Sequence, residues 1–254
     1  MPPLQPLNLF GACFNIKDPK KFELAIALLR ESVFDDGATM FVADNLITWN
    51  KTLSFLRDDF IVATLNDPNT NPVERSIAWR TYVMLYFAQF ASKAPGDFVE
   101  CGCHTGYTAS VLTRKIDFAA LGKKYYLYDL FAWNPGDEHT HLTAHDDPGM
   151  YEKVVERFKH LSFVQVIRGS VPQSFSQGFP DQIAFAHIDM NHPDPEAGAL
   201  EMVLPRLSHG GAVIFDDYGW WGYSAQKVAL DPIIARHGLE VLELPTGQAL
   251  VLKP

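Results

Sequence analysis

The spacing of apolar and polar positions changes character near residue 95. Before it, apolar residues recur at helical intervals. Phe22, Ala25, Ile26 and Leu29 share one face of a helix predicted over about 19–30, and a long helix is predicted over about 72–91. Asn71 and Glu74 stand at capping-box spacing at the start of the second. Residues 1–95 therefore read as a mostly helical extension or cap, closed by Pro95-Gly96.

From Asp97 onward, short apolar runs alternate with helical patterns. The runs are Phe98–Cys101, Tyr125–Tyr128, Phe163–Ile167, Ile183–Ile188 and Ala212–Phe215. That rhythm predicts parallel strands joined by helices, with both faces of the sheet covered. Leu239–Leu244, the turn Pro245-Thr246-Gly247 and Ala249–Leu252 predict a closing antiparallel hairpin. The expected fold is α/β: a doubly wound, mostly parallel seven-stranded sheet over residues 96–254, carrying the catalytic site.

Five Asp-Pro or Asn-Pro pairs punctuate the chain: Asp18-Pro19, Asn71-Pro72, Asp147-Pro148, Asp194-Pro195 and Asp231-Pro232. A cap residue followed by Pro at the first helical position marks a helix start. Four of the pairs precede helical patterns. The fifth lies inside the pattern from Ser224 to His237 and is expected to break it.

Composition narrows the function. The 254 residues carry a formal charge of −9 with 47% hydrophobic residues. A net acidic chain without a basic run is poorly suited to gripping nucleic acid. No apolar run is long enough to cross a bilayer and the N-terminus does not read as a secretory signal, so a cytoplasmic protein acting on a small molecule is expected. Three cysteines, Cys13, Cys101 and Cys103, are too few and too odd for a disulfide framework and read as free thiols.

Two places carry candidate chemistry. The first strand runs into Glu100-Cys101-Gly102-Cys103-His104-Thr105-Gly106-Tyr107. A glycine turn between strand and helix is a cofactor-binding device, and Glu100, Gly102, Gly106 and Tyr107 are its candidate residues. His104 stands where a nicotinamide-binding turn would want its second glycine, and Glu100 would repel a pyrophosphate. The pattern favours a nucleoside without phosphate. Asp129, closing the second strand, is a candidate for ribose hydroxyls, or else a helix cap or solvated loop acid. Ser170 follows the third strand, where an adenine edge would lie.

The second place is the pair of strand ends at Asp189 and at Asp216-Asp217. In a parallel sheet these tips are neighbours at the ligand-binding edge. Three carboxylates without a counter-ion would repel, and a hard divalent cation, Mg²⁺ first, removes the conflict. Alternatively Asp216 and Asp217 cap the following helix. His187 alternates inward and reads as a satisfied core histidine. His139, His141 and His145 lie in a polar stretch, 134–147, with no ordered metal spacing. Trp220, Trp221 and Tyr223 either wall an acceptor site or pack under the hairpin.

The segments GDFVECGCHTGYTAS, YYLYDLFAW, VIRGSVPQSF, AHIDMNHPDPEAGALEMVLPRLSHGGAVIFDDYGWWG and LPTGQALVLKP resemble the macrocin O-methyltransferase (TylF-like) family over about 71–254. The resemblance implies a class I, metal-dependent, S-adenosylmethionine-dependent methyltransferase acting on sugar hydroxyls of natural products. It implies cofactor contacts at Glu100, Gly102, Gly106, Asp129 and Ser170, and metal ligands at Asp189, Asp216 and Asp217. Where that family carries D-G-D at the fourth strand end, this chain has Asp189-Met190-Asn191. Asn191 cannot accept a proton, which leaves His192 as the nearest titratable candidate base. The expected activity is metal-dependent O-methyl transfer to a small hydroxylated acceptor, with pairing of two copies through the N-terminal helices as a further expectation. The competing readings are an inactive cofactor-binding module and a nicotinamide oxidoreductase.

Overall fold

The computed structural model describes residues 7–33, 39–132 and 147–254. The chain divides into two compact units, Met1–Tyr82 and Val83–Pro254.

The first unit is less helical than its sequence pattern indicates. It holds a three-stranded sheet of β1 (Asn8–Phe10), β2 (Met40–Ala43) and β3 (Leu46–Trp49), in that order. β1 runs parallel to β2, and β2 and β3 form a hairpin. Asp44 and Asn45 make its two-residue turn with φ of 52° and 56°. Two consecutive left-handed residues match the twist of a tight hairpin, and Asp and Asn tolerate that region better than other side chains with a Cβ. Met40, Phe41 and Ala43 are fully buried, and Phe41 and Phe55 pack on the Trp79 ring at 5.2 and 5.0 Å. The buried Arg80 guanidinium reaches both oxygens of Asp44, at 2.7 and 2.9 Å, which ties the turn down.

The predicted first helix is present as α1 (Pro19–Val33), yet none of its residues is buried. α2 (Asp59–Leu65) follows. The predicted long helix is two: α3 (Pro72–Ser76) and α4 (Ala78–Ala91), with Ile77 out of helical geometry between them. The Asn71/Glu74 capping box is formed, at 2.9 and 2.8 Å. Ser76 donates its hydroxyl back to the Pro72 carbonyl, a competing local bond of the kind that bends helices.

The second unit is built on a seven-stranded sheet. Its strands are β4 (Asp97–Cys101), β5 (Tyr125–Asp129), β6 (Val164–Arg168), β7 (Ile183–Ile188), β8 (Leu207–Phe215), β9 (Val241–Glu243) and β10 (Ala249–Leu252). Their order is β6-β5-β4-β7-β8-β10-β9. The first five are parallel, and β10 lies antiparallel to both β8 and β9. The helices are α5 (Tyr107–Lys115), α6 (Phe118–Leu121), α7 (Met150–Phe158), α8 (Pro193–Val203) and α9 (Ser224–Arg236).

Strand alternation sorts the side chains between two faces. Val99, Cys101, Tyr128, Ala186, Ile188, Val213 and Phe215 join Leu200 of α8 and Ile234 of α9 in one core. On the other face Phe98 meets Phe118 of α6 edge-on at 4.9 Å, and Phe118 stacks on Tyr125. Helices on both faces make this the expected doubly wound sheet.

Three expectations about proline need correction. At Asp147-Pro148 the cap is Gly149, and α7 starts only at Met150. α9 runs unbroken through Pro232. The carbonyl deprived of its donor belongs to Val228, which is 73% exposed, so water can replace the missing bond. At Asp194-Pro195 the cap is not Asp194 but His192, with Pro193 at the first helical position. Among the described residues no helix is long and apolar enough to cross a membrane.

Candidate functional site

The site lies at the carboxyl ends of β5, β4, β7 and β8. Gly102 and Gly106 bound the turn from β4 into α5, with φ of 89° and 73°. Both are required by the protein's own packing. A Cβ on Gly102 would overlap the carbonyl oxygen of Asp189 and lie 2.6 Å from its carbonyl carbon. One on Gly106 would lie 2.7 Å from the ring of Phe158. The β4 turn and the β7 tip are thus in backbone contact, reinforced by the bond from Asp189 N to Cys101 O.

Asp129 locks the same turn from the other side. Its carboxylate accepts the backbone N–H of His104 at 2.8 Å and of Phe131 at 2.7 Å. Burial pushes its pKa up, against these two donors. The next described helix starts at Met150, so Asp129 caps none. Tyr107 opens α5 and is buried, while Ser170, beyond β6, is exposed. All three cysteines are free, and burial raises the thiols of Cys101 and Cys103.

Glu100 is 1% exposed and has a partner at each oxygen. Tyr125 donates its hydroxyl to Oε2 at 2.5 Å, and His187 Nδ1 lies 3.4 Å from Oε1. His187 is buried as the sequence indicates, but it is not satisfied. Its Nε2 has no hydrogen-bond partner and stands 3.7 Å from Asp216 Oδ1. Burial lowers the imidazole pKa, and the carboxylates of Asp216 and Glu100 outweigh it, holding it up at about 10.

Of the three predicted acids, Asp189 and Asp216 converge. Together with His187 they place ligand atoms within 4.8 Å of one another, a set able to hold a metal ion. Asp217 is not in that set. Alternation explains the membership: 187 and 189 lie two apart on one chain, as do Ile214 and Asp216 on the next, and His187 pairs in register with Ile214. Asp217 falls one residue out of phase, and its charge, like that of Asp216, is felt by Glu196. Gln248, fully buried in β10's approach, donates to Asp216 Oδ1 at 2.9 Å. Neither Asp216 nor Asp217 caps a helix, because α9 begins at Ser224 with Tyr223 in the cap position.

The loop from Asp189 to His192 is held from α8. Buried Glu196 accepts, on Oε1, the N–H groups of Met190 at 3.1 Å and Asn191 at 3.0 Å and the amide of Gln226 at 2.9 Å. Asn191 sits at φ 57° and directs its own amide to Asp189 Oδ1 at 3.4 Å. His192 is exposed, and its Nδ1 accepts the Asp194 N–H at 3.3 Å. Trp220 packs on Gly247 of the hairpin turn, while Trp221 is 93% exposed. His139, His141 and His145 lie outside the described residues.

Sequence reading missed Glu196, Gln248 and the open nitrogen of His187. The last was within reach, since period-two spacing already set His187 on the face of Asp189. Glu196 has no such signal, because an acid in the first turn of a helix is commonly a solvated dipole partner.

Burial raises the Glu196 carboxyl to about 8, against its two backbone donors and with the help of Asp217 and Asp216. A carboxyl whose folded pKa exceeds its unfolded value holds its proton more tightly when folded. Its stabilising contribution is complete below about pH 4.5 and is lost as pH rises toward 8. Glu196→Gln keeps the accepting oxygen and removes the charge. In chelator, its stability relative to wild type is expected to grow by roughly 1 kcal/mol or more between pH 5 and pH 9. Denaturant melts across that range check it, and a pH-independent difference would refute it.

A family model described as a methyltransferase domain matches residues 99–218. No curated protein sequence matches the chain. Among solved structures the chain is similar to the O-methyltransferase NovP, at 18% identity over 72% of this chain and 82% of that one, with a TM-score of 0.57. It is also similar to CalS11, a calicheamicin methyltransferase, at 16% identity over 79% and 91%, with a TM-score of 0.56. The apo form of CalS11, described as a TDP-rhamnose 3′-O-methyltransferase, aligns over 79% and 93% with a TM-score of 0.51. These likenesses show a shared fold.

Proposed function

We propose that this chain, a methyltransferase by its matched domain and its class I fold, moves the methyl group of S-adenosylmethionine to a hydroxyl of a small polar acceptor, a sugar or glycosylated metabolite. The observation that carries the reading is the convergence of Asp189 and Asp216 beside the glycine turn. The sequence likeness to the macrocin O-methyltransferase family supports the sugar-bearing acceptor. So does CalS11, whose description names a TDP-rhamnose substrate.

In this reading residues 96–254 are the transfer domain and 1–95 a cap. S-adenosylmethionine supplies the activated methyl group. Glu100, Gly102, Gly106 and Tyr107 shape its turn, Asp129 meets the ribose hydroxyls and Ser170 the adenine edge. A divalent ion, Mg²⁺ in the simplest case, fits the donor set at Asp189 and Asp216 with Asp217 alongside, and when bound it supplies Lewis acidity that eases loss of the acceptor's proton. Asp189 and Asp216 hold the acceptor end of the site electrostatically. His192 takes the proton, since its cap bond of 3.3 Å is long enough for Nδ1 to exchange partners. Pairing of two copies through α1 belongs to the proposal, because Leu24 and Leu28 are 59% and 53% exposed on that helix.

The test is a methylation assay with diol and sugar acceptors, with and without chelator, beside a calorimetric titration of S-adenosylhomocysteine. Binding with transfer that chelator abolishes is expected. Binding without transfer to any acceptor would favour an inactive module, for which neutral Asn191 is the motivation. Full transfer in chelator would remove the metal, and unchanged transfer in His192→Ala would remove the base.

Asn191→Asp gives a sharper check. It replaces an amide donor 3.4 Å from Asp189 with a like charge. Without metal the variant is expected to lose about 1 kcal/mol of stability, and added divalent ion should raise its melting temperature more than that of wild type. Thermal melts with and without Mg²⁺ decide it, and equal shifts in the two proteins would contradict it.

A further inference from the structure

We propose that His187 Nε2 is a direct ligand of the divalent ion, so that the site is a mixed nitrogen–oxygen centre taking a first-row transition ion in preference to Mg²⁺. The inference rests on the metal-dependent reading above and deepens it, since that reading counted carboxylates alone.

Three observations carry it. His187 is 2% exposed and its Nε2 has no hydrogen-bond partner, although it is aimed into the group formed with Asp189 and Asp216. A buried polar atom left open in this way costs stability unless something fills the place. The spacing suits a shared ion: ligands at about 2.0–2.2 Å from a metal stand about 3 Å apart when adjacent and about 4.3 Å when opposite. The 3.7 Å from Nε2 to Asp216 Oδ1 falls between these values.

The third observation is what lies behind the ring. His187 Nδ1 faces the Glu100 carboxylate at 3.4 Å, and Tyr125 donates to the other oxygen of Glu100. A metal-bound histidine commonly gives its second N–H to a carboxylate, which fixes the tautomer; the ion would take the place of the Nε2 proton, which leaves to solvent. Tyr125, Glu100 and His187 form that relay across β5, β4 and β7. Imidazole nitrogen tilts a site away from Mg²⁺ and toward Mn²⁺, Fe²⁺, Co²⁺ or Zn²⁺.

The experiment uses the full chain with Mn²⁺ alone as probe, read by pulsed electron paramagnetic resonance. A ¹⁴N coupling from one imidazole is expected, replaced by a ¹⁵N coupling when the histidines are isotopically labelled. It should persist in a variant with His139, His141, His145 and His192 all changed to Ala. It should vanish in His187→Asn, with Mn²⁺ affinity falling about tenfold or more. If His187→Asn does not fold, His187→Gln takes its place, and nitrogen coupling retained in that variant overturns the proposal. Bound Mn²⁺ without nitrogen coupling overturns the proposal and leaves metal-dependent transfer standing on carboxylates. Coupling lost in the quadruple variant also overturns it. Absence of Mn²⁺ binding defeats both the proposal and the metal part of the function, and an S-adenosylhomocysteine titration on the same sample shows whether the cofactor reading survives.

Discussion

Asp189→Asn is expected to lower methyl transfer by about 10³-fold while the protein still folds and still binds S-adenosylhomocysteine. The substitution preserves size and shape and removes one charge. The backbone of residue 189 stays where Cys101 O holds it, and Gly102 still packs on its carbonyl. What changes is the field at the tip of β7. Asp189 is one of two carboxylates that, with His187, bring ligand atoms within 4.8 Å of one another. Charge placed where the acceptor's oxygen becomes anionic, or where an ion would offset it, contributes to the transition state more than to the ground state. The measurements are kcat with saturating cofactor and the calorimetric Kd of S-adenosylhomocysteine. Loss of transfer with Kd within about threefold of wild type is the expected pair of results. Retention of full kcat would remove Asp189 from the chemistry.

Gly102→Ala is expected to destabilise the protein by about 3 kcal/mol or more, with cofactor binding and transfer lost together. Two costs add. The residue holds φ 89°, a region that a side chain with a Cβ rarely adopts. The added carbon also overlaps the Asp189 carbonyl, which belongs to backbone and has no rotamer to escape into. Relief requires β4 and β7 to part at their tips, which displaces the carboxylate and the turn at once. Urea unfolding of the variant gives the stability, and Gly106→Ala is the control. There the obstacle is the Phe158 ring at 2.7 Å, a side chain that can shift, so the smaller loss belongs to Gly106. Equal stability of wild type and Gly102→Ala would contradict the geometry.

The sheet was largely legible in the sequence because each buried parallel strand is a short apolar block between turn signals. Ile183–Ile188 and Ala249–Leu252 match their strands end to end. β8 begins five residues earlier than its apolar run, at Leu207, because Ser208-His209-Gly210-Gly211 interrupts the hydrophobic pattern without ending the strand. The N-terminal hairpin escaped because its strands are four residues each and flank Asp44-Asn45, a turn of left-handed residues without glycine. The site was legible at the level of strand tips and not at the level of side-chain direction. Asp216 and Asp217 are equivalent as letters, and only the phase of β8 separates them. The importance of Glu196 and Gln248 depends on which loop each one reaches, and tertiary packing determines that.

Gln248 gives the closing hairpin a duty beyond covering an edge. Its amide nitrogen steadies Asp216, and its amide oxygen is in turn held by the Thr246 hydroxyl. A protein shortened after Leu244 would retain every acid at its strand tips and still lose the brace that aims one of them. Trims that remove Gln248 therefore act on the tip of β8, more than thirty positions away along the chain.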